Sequence, residues 1–186
     1  ITGCPPQICG RIEHFIQRKA MDIDSLGEKT IEQLYELNLV KSPADLYDLT
    51  RDDLLRLEGF KDKSVKNLLE GIEKSKSVPF ESVLFAIGIR YVGKTVAEKI
   101  ARHFKTIDKI KDASREELLA APEVGEIIAD SVYQFFRKPE SQKEIERLRK
   151  SGLAMESTAK EPEKVSEVLG SKSFVISGVF KNYERE

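Results

Sequence analysis

No tryptophan occurs in the 186 residues and aromatic residues make up only 8%, which argues against an aromatic-rich β sandwich. Cysteine is nearly absent. Cys4 and Cys9 cannot form a disulfide framework, and this usage fits a reducing, cytoplasmic setting. Long apolar runs are missing: the stretch from Val83 to Ile87 is far too short to span a bilayer, so no membrane partner is expected. An excess of charge is missing too. Lys and Arg number 31 against 32 Asp and Glu, a formal net charge of -1, which excludes a polycation that coats nucleic acid through bulk charge. Any contact with a polyanion must be local. No Walker loop, no Ser-His-Asp constellation and no pair of catalytic carboxylates can be assigned. The chain opens at Ile1 without Met and without a signal-type region, so a piece of a longer protein is expected.

What is present is a repeat. Glycines and prolines fall between periodic segments, as short helices joined by tight turns require. Four triplets align without gaps: Ser25-Leu26-Gly27, Gly59-Phe60-Lys61, Tyr91-Val92-Gly93 and Glu123-Val124-Gly125. Six residues before each third position stand Met21, Leu55, Ile87 and Leu119. Four after it stand Ile31, Val65, Ala97 and Ala129, and seven after it Leu34, Leu68, Ile100 and Val132. The +4 and +7 positions share one helical face, so each turn leads into a helix with a buried stripe.

A longer duplication lies on top. Val40-Lys41-Ser42 through Leu55 matches Phe104-Lys105-Thr106 through Leu119 at a constant offset of 64. Thr50-Arg-Asp-Asp53 and Ser114-Arg-Glu-Glu117 read as helix starts with a capping hydroxyl, and Leu54, Leu55, Leu118 and Leu119 are expected to follow as buried faces. His14 and His103 are expected to be partly buried helix residues. The predicted fold class is all-α: four helix-turn-helix pairs arranged as two duplicated units, about 10-75 and 76-150 within a domain at 10-153. Residues 154-168, rich in Ser, Thr, Pro, Glu and Lys, read as a linker, and Ser173 to Phe180 as a single strand.

A glycine at the turn permits positive φ and close approach of a foreign backbone, and the helix that follows presents free N–H groups at its positive dipole end. That is an anion site, and a phosphate diester is the natural anion. Two such turns held together could each take one strand of a duplex without reading bases. The arrangement resembles the helix-hairpin-helix motif of DNA repair and replication proteins. The candidate DNA-binding residues are Gly27 and Lys29 in the first turn, Gly59, Lys61 and Lys63 in the second, Arg90, Gly93, Lys94 and Thr95 in the third, and Gly125 in the fourth. The third turn alone combines glycine, net positive charge and no acid. The fourth carries Glu123 and Glu126 with no base, and is expected to be mainly scaffold.

The run Cys4-Pro-Pro-Gln-Ile, then His14 to Ile23 and Leu26-Gly27-Glu28-Lys29, closely resembles the bacterial NAD-dependent DNA ligases where they leave a zinc finger and enter a helix-hairpin-helix domain. Ala86 to Gly93 is similar to the third hairpin of that family, and Leu169 to Gly178 to the opening strand of its BRCT domain. The resemblance implies residues 1-9 as a zinc-finger remnant and 169-186 as an incomplete BRCT start. It also implies Cys4 as one zinc ligand in the longer protein only, with NAD, Mg and Zn belonging to the full-length enzyme and no cofactor in this fragment. The implied partner is nicked double-stranded DNA, bound by a non-catalytic monomer. A protein-interaction scaffold and a helix-hairpin-helix module of another repair enzyme are the alternative readings.

Overall fold

Four helix starts among the described residues follow hydroxyl side chains. In the computed structural model, which describes residues 5–157, Thr50 caps α3 (Arg51–Leu55) and Ser114 caps α8 (Arg115–Leu119). Both are reciprocal boxes in which Asp53 or Glu117 returns a bond to the cap backbone, at 3.0 Å for Thr50 and 2.7 Å for Ser114. Ser42 makes the same box with Asp45 ahead of a 3-10 helix (Pro43–Asp48), and the Thr106 hydroxyl accepts from the Lys109 N–H ahead of α7 (Ile107–Asp112). The other helices are α1 (Pro5–Ile16), α2 (Glu28–Glu36), α4 (Asp62–Ser75), α5 (Phe80–Ala86), α6 (Lys94–Phe104), α9 (Glu126–Arg137) and α10 (Pro139–Lys150). Among the described residues there is no strand, only an isolated bridge between Thr106 and Glu156. The fold is all-α. The duplication is visible in the backbone: the 3-10 helix, α3 and α4 start at 43, 51 and 62, and α7, α8 and α9 start 64 residues later.

The repeat positions build one core. At +4 and +7 every residue is buried, from Ile31 and Leu34 to Ala129 and Val132. Seven and four residues before each third position are also buried: Ala20 and Ile23, Leu54 and Leu57, Ala86 and Ile89, Leu118 and Ala121. At -6 the expectation holds for Met21 and Ile87 but fails for Leu55 and Leu119, which are 43% and 40% exposed. The cause is helical geometry. Adjacent residues on a helix do not share a face, and in the five-residue helices α3 and α8 the core side is taken by Leu54 and Leu118.

The two halves are joined through side chains at both ends of the described chain. α1 packs on α2, α5 and the 3-10 helix. Half-buried His14 donates from Nε2 to the Phe85 carbonyl at 2.9 Å, meets the Phe85 ring edge-on, and accepts at Nδ1 from Gln17. His103, by contrast, is exposed on α6. α10 returns to the first half, where Arg147 meets Asp45 at 2.7 Å and Asp48 at 2.5 Å, and Glu144 meets Arg11. Burial acts against the charge on Asp45, but hydrogen bonds from the Lys41 N–H, Arg147 and Ser42 outweigh it and hold the carboxyl below its ordinary range.

Two boundaries, one implied by the family resemblance and one read from composition, sit differently in the structure. Pro5 to Cys9 are the start of α1, with Ile8 buried, because the apolar period continues upstream of residue 10. Ala154 to Ser157 are docked rather than free. The Ile107 N–H donates to the Met155 carbonyl, the Ser157 N–H donates to the Lys105 carbonyl, and the Ser157 hydroxyl donates to Glu81. Backbone pairing needs no hydrophobic pattern, so composition does not betray it. Cys4, the rest of the linker and the strand at 173–180 lie outside the described residues.

Candidate nucleic-acid interface

The four turns share one backbone. The first residue of each triplet lies at positive φ: Ser25 at 72°, Gly59 at 80°, Tyr91 at 65° and Glu123 at 62°. The second is tucked in, with Leu26, Val92 and Val124 buried and Phe60 partly so. In the last three turns its N–H donates to the carbonyl three residues back: Phe60 to Leu57, Val92 to Ile89, Val124 to Ala121. The third residue is the N-cap of the following helix, at φ -96° for Gly27, -127° for Lys61, -77° for Gly93 and -88° for Gly125.

This corrects the role expected for the third glycine. The left-handed position is the first of the triplet, and only Gly59 fills it with glycine. The third is extended backbone that any residue adopts, which is why Lys61 stands there without strain. What glycine supplies at 27, 93 and 125 is room: a Cβ built on any of them meets no atom within 4 Å. The tip is open to something approaching from outside.

The helices that leave these tips start differently from those that follow a capping hydroxyl. α3, α7 and α8 have side-chain caps, as does the 3-10 helix. α2, α4, α6 and α9 have no side-chain cap bond, so their first-turn N–H groups point outward unclaimed by a capping side chain. Uncapped starts are not confined to the hairpins: α5, which follows Pro79, and α10, which starts on Lys138 and Pro139, also have no side-chain cap bond.

All ten candidate residues are exposed. Lys29, Lys61, Lys63, Arg90 and Lys94 take part in no ion pair among the described residues. The Arg90 guanidinium lies 4.9 Å from the centre of the Tyr91 ring, which holds that cation at the third tip. The acids are partly answered: Asp62 is paired with Arg51 at 2.5 Å, and Glu123 with Lys99. In the fourth turn Glu126 opens α9 and Ile127 follows, 67% exposed, where the other three have Lys29, Lys63 and Thr95.

Three contributors are invisible to motif reading. Each lies six residues after an N-cap and reaches the neighbouring hairpin. The Gln33 amide oxygen accepts from the Glu58 N–H at 2.8 Å, the Ser131 hydroxyl donates to the Arg90 carbonyl at 2.7 Å, and Lys99 meets the Glu123 carboxylate. Gln, Ser and Lys share no residue type, so only the position could have marked them.

For a metal the described residues offer little. No group of three or more His, Cys, Asp or Glu converges among them. Cys9 is half-buried, and burial, with Glu13 and Glu32 nearby, pushes its thiol up, away from the thiolate a zinc site needs. None of the described helices is long and apolar enough to cross a membrane.

Paired hairpins with a left-handed first residue, an extended open N-cap and an uncapped helix define a helix-hairpin-helix protein. Comparison with known families agrees: residues 18–74 match the family described as SAM-like helix-hairpin-helix tandem, and residues 82–145 that described as helix-hairpin-helix motif. Across 99% of its length the chain is 57% identical to a DNA ligase of Cytophaga hutchinsonii and 50% identical to one of Flavobacterium johnsoniae. Across 98% it is 45% identical to a DNA ligase of Anoxybacillus flavithermus. The chain is similar to a segment of these DNA ligases, spanning 28% of the length of the first two relatives and 27% of the third.

Proposed function

We propose that this chain is the part of a bacterial NAD-dependent DNA ligase that holds nicked duplex DNA, without taking part in the joining chemistry. The observation that carries the reading is the tip that all four hairpins share. At each the N-cap is extended and exposed and the helix that follows has no side-chain cap, so its first-turn N–H groups are left for an outside anion, with unpaired cations beside the first three. Phosphates on the two strands fit such sites, and no base-reading groups are needed.

The candidate residues divide by role. Gly27, Gly93 and Gly125 leave room for the backbone of the nucleic acid, and Gly59 sets a left-handed turn. Lys29, Lys61, Lys63, Arg90 and Lys94 supply charge, and Thr95 a hydroxyl. NAD and magnesium are assigned to the longer enzyme, as is a zinc finger completed by Cys4; this segment needs none of them to hold DNA. It acts as a monomer in the cytoplasm. The docked residues 154–157 lead toward a BRCT domain beginning near 169.

Titration of labelled nicked duplexes of unrelated sequence tests this. The expected Kd is micromolar or weaker, since non-specific binding is typically ~10⁻⁴–10⁻⁶ M. With roughly 3–5 phosphates neutralised, log K falls against log salt with a slope of about -3 to -4.5. Affinity independent of salt, or strong preference for one sequence, overturns the reading.

A further inference from the structure

Within each half of the fold, side chains of one hairpin's helix reach across to the other hairpin. Gln33 on α2 takes the Glu58 N–H of the second tip. Ser131 on α9 donates a hydroxyl hydrogen bond to the Arg90 carbonyl of the third tip, and Lys99 on α6 returns the link by meeting Glu123 of the fourth. All three occupy the +6 position. Glu58 and Arg90 also share a position, three residues before their N-caps.

The remaining +6 residue, Asn67 on α4, is exposed and makes no such bond. There the two backbones approach directly: a Cβ at Gly71, one turn further along α4, would lie 3.6 Å from the Asp24 carbonyl oxygen of the first tip. Every direction of crossing within a half is thus closed, three by a side chain and one by a glycine contact.

These bonds add little to the core, since all three +6 residues are only half-buried and the groups they hold are exposed. What they determine is where one tip stands relative to its neighbour. We propose that Gln33, Lys99 and Ser131 are positioning residues that fix the separation of the two hairpin tips in each half, so that both meet duplex phosphates at once. This rests on the proposed DNA-holding role, but the tip separation itself belongs to the free protein and can be measured without DNA.

The experiment uses the full chain with Cys4→Ser and Cys9→Ala, carrying spin labels at Thr95→Cys and Ile127→Cys, exposed sites on the first turns of α6 and α9. Pulsed electron resonance reads the distance distribution with Ser131 intact, with Ser131→Ala and with Ser131→Thr. Duplex titration is done on unlabelled chains. Ser131→Ala is expected to broaden the distribution, raise Kd about threefold to tenfold, and reduce the salt slope by ~0.9, the loss of about one phosphate. Ser131→Thr, which keeps the hydroxyl, is expected to restore all three. An unchanged distribution in Ser131→Ala overturns the positioning role whatever the DNA result. A broadened distribution with parental affinity overturns the claim that tip separation governs the grip. A distribution broadened by Ser131→Ala, together with a parent that shows no salt-dependent binding, leaves the positioning role standing and overturns the DNA-holding role instead.

Discussion

Replacing Gly93 by Asp is expected to stabilise the fold and weaken DNA binding, two effects of opposite sign from one side chain. Gly93 already has N-cap dihedrals, φ -77° and ψ 173°, and a Cβ there meets no atom within 4 Å, so Asp enters without strain. Its carboxylate can accept from the first-turn N–H groups of α6 and favours the helix dipole. Relative to glycine that contributes about 0.5 kcal/mol, which raises the melting temperature by roughly 1–2 °C for a domain of this size. The same carboxylate occupies the amides assigned to a phosphate and repels it. A hydrogen bond to a charged group contributes about 1.5–3 kcal/mol, so Kd rises roughly 10- to 150-fold and the salt slope falls by ~0.9. Thermal melts and fluorescence anisotropy with nicked duplex read the two effects separately. The companion Gly125→Asp, in the turn already flanked by Glu123 and Glu126, should stabilise similarly and weaken binding less than Gly93→Asp, because no unpaired cation stands beside that phosphate site. If Gly93→Asp binds like the parent, the α6 amides hold no phosphate. If it melts lower, the N-cap geometry is misread.

Lys94→Glu should weaken duplex binding at parental melting temperature, while Glu126→Lys should fold normally and bind slightly tighter; equal affinities in both would remove local charge as the basis for ranking the hairpins. Leu54→Ala, at a position with no exposed surface, should cost about 2–5 kcal/mol, whereas Leu55→Ala next to it should stay within about 0.5 kcal/mol by denaturant titration. Burial pushes the Tyr47 hydroxyl, hydrogen-bonded to Ser75 at 2.9 Å, up to about 12. The unfolded chain then loses that proton first, so its share of stability is intact below pH ~10 and is lost as pH rises toward 12. Ultraviolet titration should find one tyrosine protonated beyond the ordinary range, and Tyr47→Phe should flatten alkaline unfolding.

Periodicity carried most of the fold. The +4 and +7 stripes, the capping boxes at Thr50 and Ser114 and the offset of 64 all reappear in the backbone, because each rests on a local rule of helix geometry. The errors arose where neighbours decide. Leu55 and Leu119 look as apolar as Leu54 and Leu118, yet a single-turn helix has one inner side. The tips were placed correctly, but the strained residue was not. Ser25, Tyr91 and Glu123 carry the positive φ that glycine was expected to carry, and nothing in their side chains announces it. Gln33, Lys99 and Ser131 stayed hidden because a bond to a distant main-chain group needs proximity rather than a residue type.

The return of α10 to the first half has a consequence for how the chain comes to be folded. Arg147 lies 99 residues beyond Asp48 and 105 beyond Ser42, and Arg11 waits 133 residues for Glu144. A ribosome adding ~5–20 residues per second exposes the 3-10 helix and α1 for roughly 5–25 s before their partners exist. Helical proteins fold fast when their contacts are local. Here these closing contacts are among the least local, so they form only after α10 has been made. Once closed, these contacts tie the two ends of the loop together, and a nick in the backbone anywhere between residues 48 and 144 would sever it.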